Sequence, residues 1–292
     1  MAASPTSRTI ALGTGLRYHV LEWGAVDASL EHTVFLLHGF LDLAQGWAGV
    51  VEAGLAGRFH VVVPDLRGHG DSDWVGPGSH YYFPDYVADV HELVDALGRQ
   101  RVSLVGHSVG GRIAAYYAGM FPARVAKLAL LEGLGPTQNP EFGPEYLAVW
   151  LNAWQRARAR SPRVYATLAD AAARLREHDP LLDEAEAQRH ASAGTTAASE
   201  GGLRFKHDPR HVSMGPYGFQ LELAMQFWRA IRCPVLLVDG AESTLRLEPA
   251  EAARRRDAFA QASVATLPGA GHMMQRHQPA ALARILADFL AP

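Results

Sequence analysis

Cysteine is almost missing from the chain. Cys233 stands alone among 292 residues, which excludes an intrachain disulfide and a thiolate metal cluster. Lysine is nearly as scarce: of 27 basic residues only Lys127 and Lys206 are lysines, so arginine carries the positive charge. Neither sign of charge dominates, since 30 acidic residues leave a formal net charge of −3, with the two signs mixed along the chain. That balance offers no electrostatic footprint for nucleic acid or an anionic membrane. No apolar run is long enough to span a bilayer, and the amino terminus lacks a basic stretch followed by an apolar one, so a soluble, cytoplasmic protein is expected. No internal repeat is present. The histidines are scattered without paired ligand spacing, and no Gly-x-Gly-x-x-Gly opens a helix after a strand; no metal is expected, and no cofactor.

Hydrophobic residues make up 48% of the sequence, enough for a substantial core. Residues 8–12 and 16–23 alternate around Gly13-Thr14-Gly15 as a hairpin. Residues 33–37 are a continuous apolar run, the mark of a strand buried on both faces, and residues 59–63 read as another buried strand. Between and after them come helical stretches over 46–55 and 86–97, the second with Val87, Val90, Leu93, Val94 and Leu97 on one face. Strands at 102–107 and 125–131 follow. After Glu132 the rhythm breaks: residues 146–160, 164–177 and 219–231 read as helices, and the Ala-, Ser-, Thr- and Gly-rich residues 192–202 as a mobile loop. Strands return at 234–238 and 263–267, with helices over 249–260 and 279–290. Alternating strands and helices predict an α/β fold whose central, mostly parallel sheet is covered on both faces. The division expected is a first core part (1–135), a helical cap or lid (136–230) and a second core part (231–292).

The chemistry concentrates at Val102 to Gly111, where an apolar strand runs through Gly106-His107-Ser108-Val109-Gly110 directly into a helix. This is the Gly-x-Ser-x-Gly nucleophile elbow, in which a sharp turn holds the serine in a strained conformation. Glycines two residues either side let strand and helix approach where a Cβ would clash. A serine hydroxyl is a weak nucleophile near neutral pH and needs a base within hydrogen-bond reach. A tetrahedral intermediate also needs preset N–H donors, and Val109, following the serine, supplies one.

Together these segments resemble the α/β-hydrolase fold superfamily over almost the whole chain. His38-Gly39 follows the third strand, Asp65-Leu66-Arg67-Gly68-His69-Gly70-Asp71-Ser72 the fourth, the elbow the fifth, and Gly269-Ala270-Gly271-His272 the last. Within the superfamily, His38-Gly39-Phe40-Leu41-Asp42 and His207-Asp208-Pro209-Arg210 resemble the serine-hydrolase-like proteins and capped bacterial esterases. The resemblance implies Ser108 as nucleophile, His272 as its base, and Phe40 as the second oxyanion-hole donor beside Val109. Substrate contacts are expected from Phe40, His107, Asp42 and Met273. His38 and His69 are expected to serve loop hydrogen bonds, and Asp65, Arg67, His69, Asp71 and Ser72 to brace the site. The serine at 108 sets the chain apart from relatives with an aspartate nucleophile, the haloalkane dehalogenases and epoxide hydrolases.

The acid departs from the common pattern. Many members carry Asp three residues after a glycine that corresponds to Gly240, and here that place is Ser243. Glu132, at the end of the sixth strand, is the first candidate to replace it; Glu242 and Asp239 are the alternatives. The expected function is hydrolysis of a small or medium carboxylic ester through an acyl-enzyme. Its rivals are a C–C bond hydrolase, a lactonase, a thioesterase or a cofactor-free perhydrolase on the same triad, and a non-catalytic ligand-binding protein.

Overall fold

A computed structural model describes residues 4–24, 33–137, 143–211 and 215–291. Its strands are β1 (Thr6–Ala11), β2 (Arg17–Trp23), β3 (Thr33–Leu37), β4 (His60–Pro64), β5 (Val102–His107), β6 (Val125–Leu131), β7 (Thr195–Ala197), β8 (Leu203–Phe205), β9 (Val235–Gly240) and β10 (Ala262–Leu267). Eight of them form one sheet in the order β1-β2-β4-β3-β5-β6-β9-β10. β2 pairs antiparallel with β1 and β4, and every pair from β4 onward is parallel.

Every residue of β3, β4 and β5 is buried, as their largely apolar runs require in a sheet covered on both sides. The period of two then divides the core. Phe35, Leu37, Leu104 and Leu130 point to one face, where the helices Phe83–Ala96, Val109–Met120 and Leu221–Ala230 pack. Val34, Leu36, Val105 and Leu131 point to the other, toward residues 44–55 and the helix Pro279–Leu290. Residues 44–55, expected as one helix from residue 46, are a succession of 3-10, α and π turns.

The segment between β6 and β9 holds the helices Pro144–Ala159, Leu168–His178 and Glu184–Gly194, and the hairpin β7–β8. A capping box of Thr167 and Asp170 opens the second helix, and the Asp183 side chain caps the third. Tyr165, Ala171, Leu182, Ala187 and Ala191 give this cap a small core of its own. Two expectations change here. Residues 192–202 are not simply a loop: they hold the end of a helix, β7 and a tight turn. And the helix Leu221–Ala230, counted with the cap, buries Leu221, Ala224, Met225 and Trp228 in the main core beside the helix Val109–Met120.

Candidate active site

The elbow is set by backbone geometry. Ser108 adopts φ 52° and ψ −116°, a region that costs a non-glycine residue about 1–3 kcal/mol. Surrounding contacts hold it there: the Ser108 N–H donates to the Leu131 carbonyl at 2.9 Å. A Cβ on Gly106 would strike the Gly110 carbonyl, and one on Gly110 the Leu37 carbonyl, so only glycine lets β5, the helix and the end of β3 pack this closely. Val109 opens the helix, where an N–H has no intrahelical acceptor. The 38–40 loop lies against the elbow: a Cβ added to Gly39 would stand 3.3 Å from the Ser108 Cβ.

His272 lies in the loop after β10, and its Nδ1 is 2.6 Å from Glu132 Oε2. Glu132 occupies the first position past β6 with φ 45°, and its N–H donates to the Val238 carbonyl at 3.0 Å. Its carboxylate has two further donors, the Gly240 N–H on Oε1 at 3.1 Å and the Ser243 Oγ on Oε2 at 2.9 Å. Burial pushes the Glu132 carboxyl up, but the His272 contact and these donors outweigh it and hold the group below its ordinary range. An ionised carboxylate on Nδ1 fixes the imidazole with Nε2 open as a base.

Ser243 was legible as the vacant place of the acid, but its part here was not foreseen. It donates to the Glu132 carboxylate. Glu242 is exposed, and its N–H is turned to the Ala270 carbonyl. Asp239, half-buried in β9, is pushed up by burial and by the nearby Glu132 charge.

A cavity of about 1080 Å³ opens between sheet and cap, with Leu41, Asp42, Leu43, His272, Met273 and Arg276 on its core side. Asp42 and Met273, two of the expected substrate contacts, therefore line it. Phe40 is half-buried and lies edge-on to His211 and His69, with ring centroids 4.8 and 6.3 Å away; at this loop its neighbours 41–43 form the wall. His107 is not on the wall. It is 1% exposed, with Nε2 donating to the His272 carbonyl at 2.8 Å. Adjacent residues of a sharp turn point apart, so His107 braces the loop of His272 from beneath. Burial, with help from the His272 charge, pushes it down to about 3.

The loop after β4 is a hydrogen-bond scaffold. His38 Nε2 accepts from the Leu66 N–H and His69 Nε2 from the Leu41 N–H. Arg67 forms a bidentate pair with buried Asp89 and a second bond to Asp85. His19, Asp65 and Asp71 bring three potential ligand atoms within 4.8 Å of one another. Asp65 already accepts from His19 Nδ1, the Ala44 N–H and the Asp71 N–H; those donors make the cluster a brace and leave it poorly suited to a cation.

Polar contacts tie the segment between β6 and β9 to the core on two sides of the cavity. Asp208 accepts from Tyr81 Oη at 2.7 Å while its N–H donates to the Gly68 carbonyl, and Arg210 donates to the Val75 carbonyl. On the other side of the cavity, His277 Nε2 meets Asp179 at 2.8 Å and its Nδ1 accepts from the Gly271 N–H, one residue before His272. The second contact had no local sequence signal, because its partners lie 98 residues apart.

The chain is 27% identical to a serine hydrolase-like protein of Danio rerio over 279 residues, 92% of this chain and 84% of that one. It is 31% identical to a 3-hydroxybutyrate-oligomer hydrolase of Cupriavidus necator over 245 residues, 80% of this chain and 78% of that one. Among solved structures, the thioesterase domain from the curacin biosynthetic pathway superposes with a TM-score of 0.85 at 25% identity, covering 98% of this chain and all of that one. The alpha/beta hydrolase fold family matches residues 32–276, and the chain belongs to that family.

Proposed function

We propose that the protein is a serine hydrolase that cleaves carboxylic esters of small or medium size through an acyl-enzyme. The observation that carries this reading is the His272–Glu132 hydrogen bond of 2.6 Å in a molecule whose strained Ser108 ends the neighbouring strand. His272 Nε2 takes the Ser108 proton as Oγ attacks the ester carbonyl, and Glu132 stabilises the imidazolium that forms. The Val109 and Phe40 N–H groups receive the oxyanion. His272 returns the proton to the leaving alcohol, then activates the water that releases the acid. Thioesters pass through the same acyl-enzyme, and the thioesterase-domain neighbour makes them part of the substrate range to assay; the 3-hydroxybutyrate-oligomer hydrolase relative adds hydroxy-acid esters.

Labelling with a fluorophosphonate tests the nucleophile without knowledge of the substrate. One adduct per chain is expected, mapping by mass spectrometry to Ser108 and absent in Ser108→Ala. Stoichiometric labelling at another residue, or none in the folded protein, would refute the assignment.

A further inference from the structure

A second carboxylate–imidazole pair grips the loop that carries His272. His277, in the short helix Met274–His277, sets Nε2 at 2.8 Å from Asp179 Oδ1 and 2.9 Å from Oδ2. Its Nδ1 accepts from the Gly271 N–H at 3.0 Å. Facing an N–H, Nδ1 carries no proton, so Nε2 carries it and donates to the carboxylate. The pair is shielded, with the His277 side chain 3% exposed and that of Asp179 13%. Asp179, Gly271, His272 and His277 all border the cavity.

Asp179 belongs to the segment between β6 and β9 and is held firmly within it. Its N–H donates to the Leu175 carbonyl at the end of the helix Leu168–His178, and its carbonyl accepts from the Leu182 N–H, both at 3.0 Å. Leu181 of the same turn closes on the loop: a Cβ added to Gly271 would stand 3.0 Å from Leu181 Cδ1 and 3.3 Å from His277 Cε1. From the other side the core holds the flanking carbonyls. His107 Nε2 donates to that of His272 at 2.8 Å, and the Glu242 N–H to that of Ala270 at 2.9 Å. Between them Gly271 is the joint next to the imidazole, and glycine has the backbone that turns most freely.

We propose that Asp179 and His277 are positioning residues for His272. The docked segment, through Asp179, fixes the tautomer and orientation of the His277 ring; His277, through the Gly271 N–H, fixes the loop that presents His272 to Ser108. When the segment lifts, the ring loses the carboxylate that orients it, and the glycine joint lets His272 drift. The site is therefore complete only while the segment is docked over the cavity. The proposal rests on the hydrolase reading and deepens it, since it gives residues remote from the triad a part in the rate. A mere staple between segment and core would stabilise the segment without being felt at His272. The contact of Tyr81 with Asp208 at 2.7 Å is the control, because it ties the same segment to the core away from this loop.

Two readouts are taken on wild type, Asp179→Ala, Tyr81→Phe, His277→Asn and the double variant Asp179→Ala/His277→Asn. The first needs no substrate: the ring-nitrogen NMR resonances of His272 in protein labelled with 15N-histidine, assigned by their loss in His272→Ala. They should shift or broaden in Asp179→Ala and stay in place in Tyr81→Phe. The second is kcat and KM on a p-nitrophenyl ester. In Asp179→Ala, kcat should fall about tenfold, as expected of a slightly misplaced base, with KM little changed. Tyr81→Phe should keep its kcat. Asparagine at 277 leaves Asp179 no ring to orient, so adding Asp179→Ala to His277→Asn should cost little more. The proposal is overturned by unmoved His272 resonances in Asp179→Ala, by an equal effect of Tyr81→Phe, by a loss in KM alone, or by an Asp179→Ala loss that persists in full beside His277→Asn. Resonances that move as expected in a protein whose wild type turns over no ester would uphold the link to His272 and sink the hydrolase reading instead.

Discussion

Glu132 sits where β6 ends, in a left-handed backbone conformation at φ 45°, and that turn aims its carboxylate at His272 and Ser243. Burial alone would favour the neutral acid; three hydrogen bonds favour the ion. In a related triad, an acid-to-amide change lowers kcat by about four orders of magnitude because the histidine takes the wrong tautomer. Glu132→Gln should do the same here with little change in KM, whereas Glu242→Gln should stay near wild type. Ser243→Ala should be intermediate: losing one hydrogen bond to a charged group costs about 1.5 kcal/mol, or about tenfold in kcat. Steady-state kinetics on one ester check all three, and a larger loss from Glu242→Gln than from Glu132→Gln would reverse the assignment. At this scale the sequence made Ser108 and His272 legible, because the elbow and the final loop are local patterns. It left Glu132, Glu242 and Asp239 open. The choice depends on the parallel register that sets Leu131 opposite Val238 and on the turn of Glu132, and neither is local.

Among the elements, strands buried on both faces were the easiest to read, since short, dense apolar runs such as residues 34–37 have few other uses. The hairpin β7–β8 was hidden. Its strands are three residues each, the first strand and the turn are mostly Ala, Ser, Thr and Gly, and its place is fixed by a bridge from Tyr165 to Leu203. The helix Leu221–Ala230 was legible as a helix but not as core, because an amphipathic stripe does not say which partner it meets. The cap's separate small core and its polar ties to the body suggest a unit that opens before the sheet does. Tyr81→Phe removes the Asp208 contact while keeping the ring, at a cost of about 1 kcal/mol. Hydrogen exchange in residues 195–208 should accelerate about fivefold, with β3, β5 and β6 unaffected. Equal acceleration in those central strands would show that cap and sheet open as one.

The whole molecule buries several histidines in the neutral form. Burial, aided by nearby positive charge, pushes His107, His190 and His211 each down to about 3 from an ordinary value of 6.5. Between those values the unfolded chain binds protons that the folded chain does not, so stability falls as pH falls, by about 1.4 kcal/mol per pH unit for each such histidine. The melting temperature should therefore drop steeply from pH 6.5 toward 4, and His190→Phe should make the slope shallower. Calorimetric scans over that range test it; a flat profile would mean that these histidines already carry their protons in the folded state.

No helix among the described residues is long and apolar enough to cross a membrane, and the cavity between the sheet and residues 143–211 has His272 on its wall. The most direct measurement of that chemistry is pre-steady-state hydrolysis of short- and medium-chain p-nitrophenyl esters by wild type and Ser108→Ala. An acyl-enzyme on Ser108 predicts a burst of p-nitrophenol approaching one equivalent per chain, followed by slower turnover and absent from the variant. Turnover that persists unchanged in Ser108→Ala would contradict it.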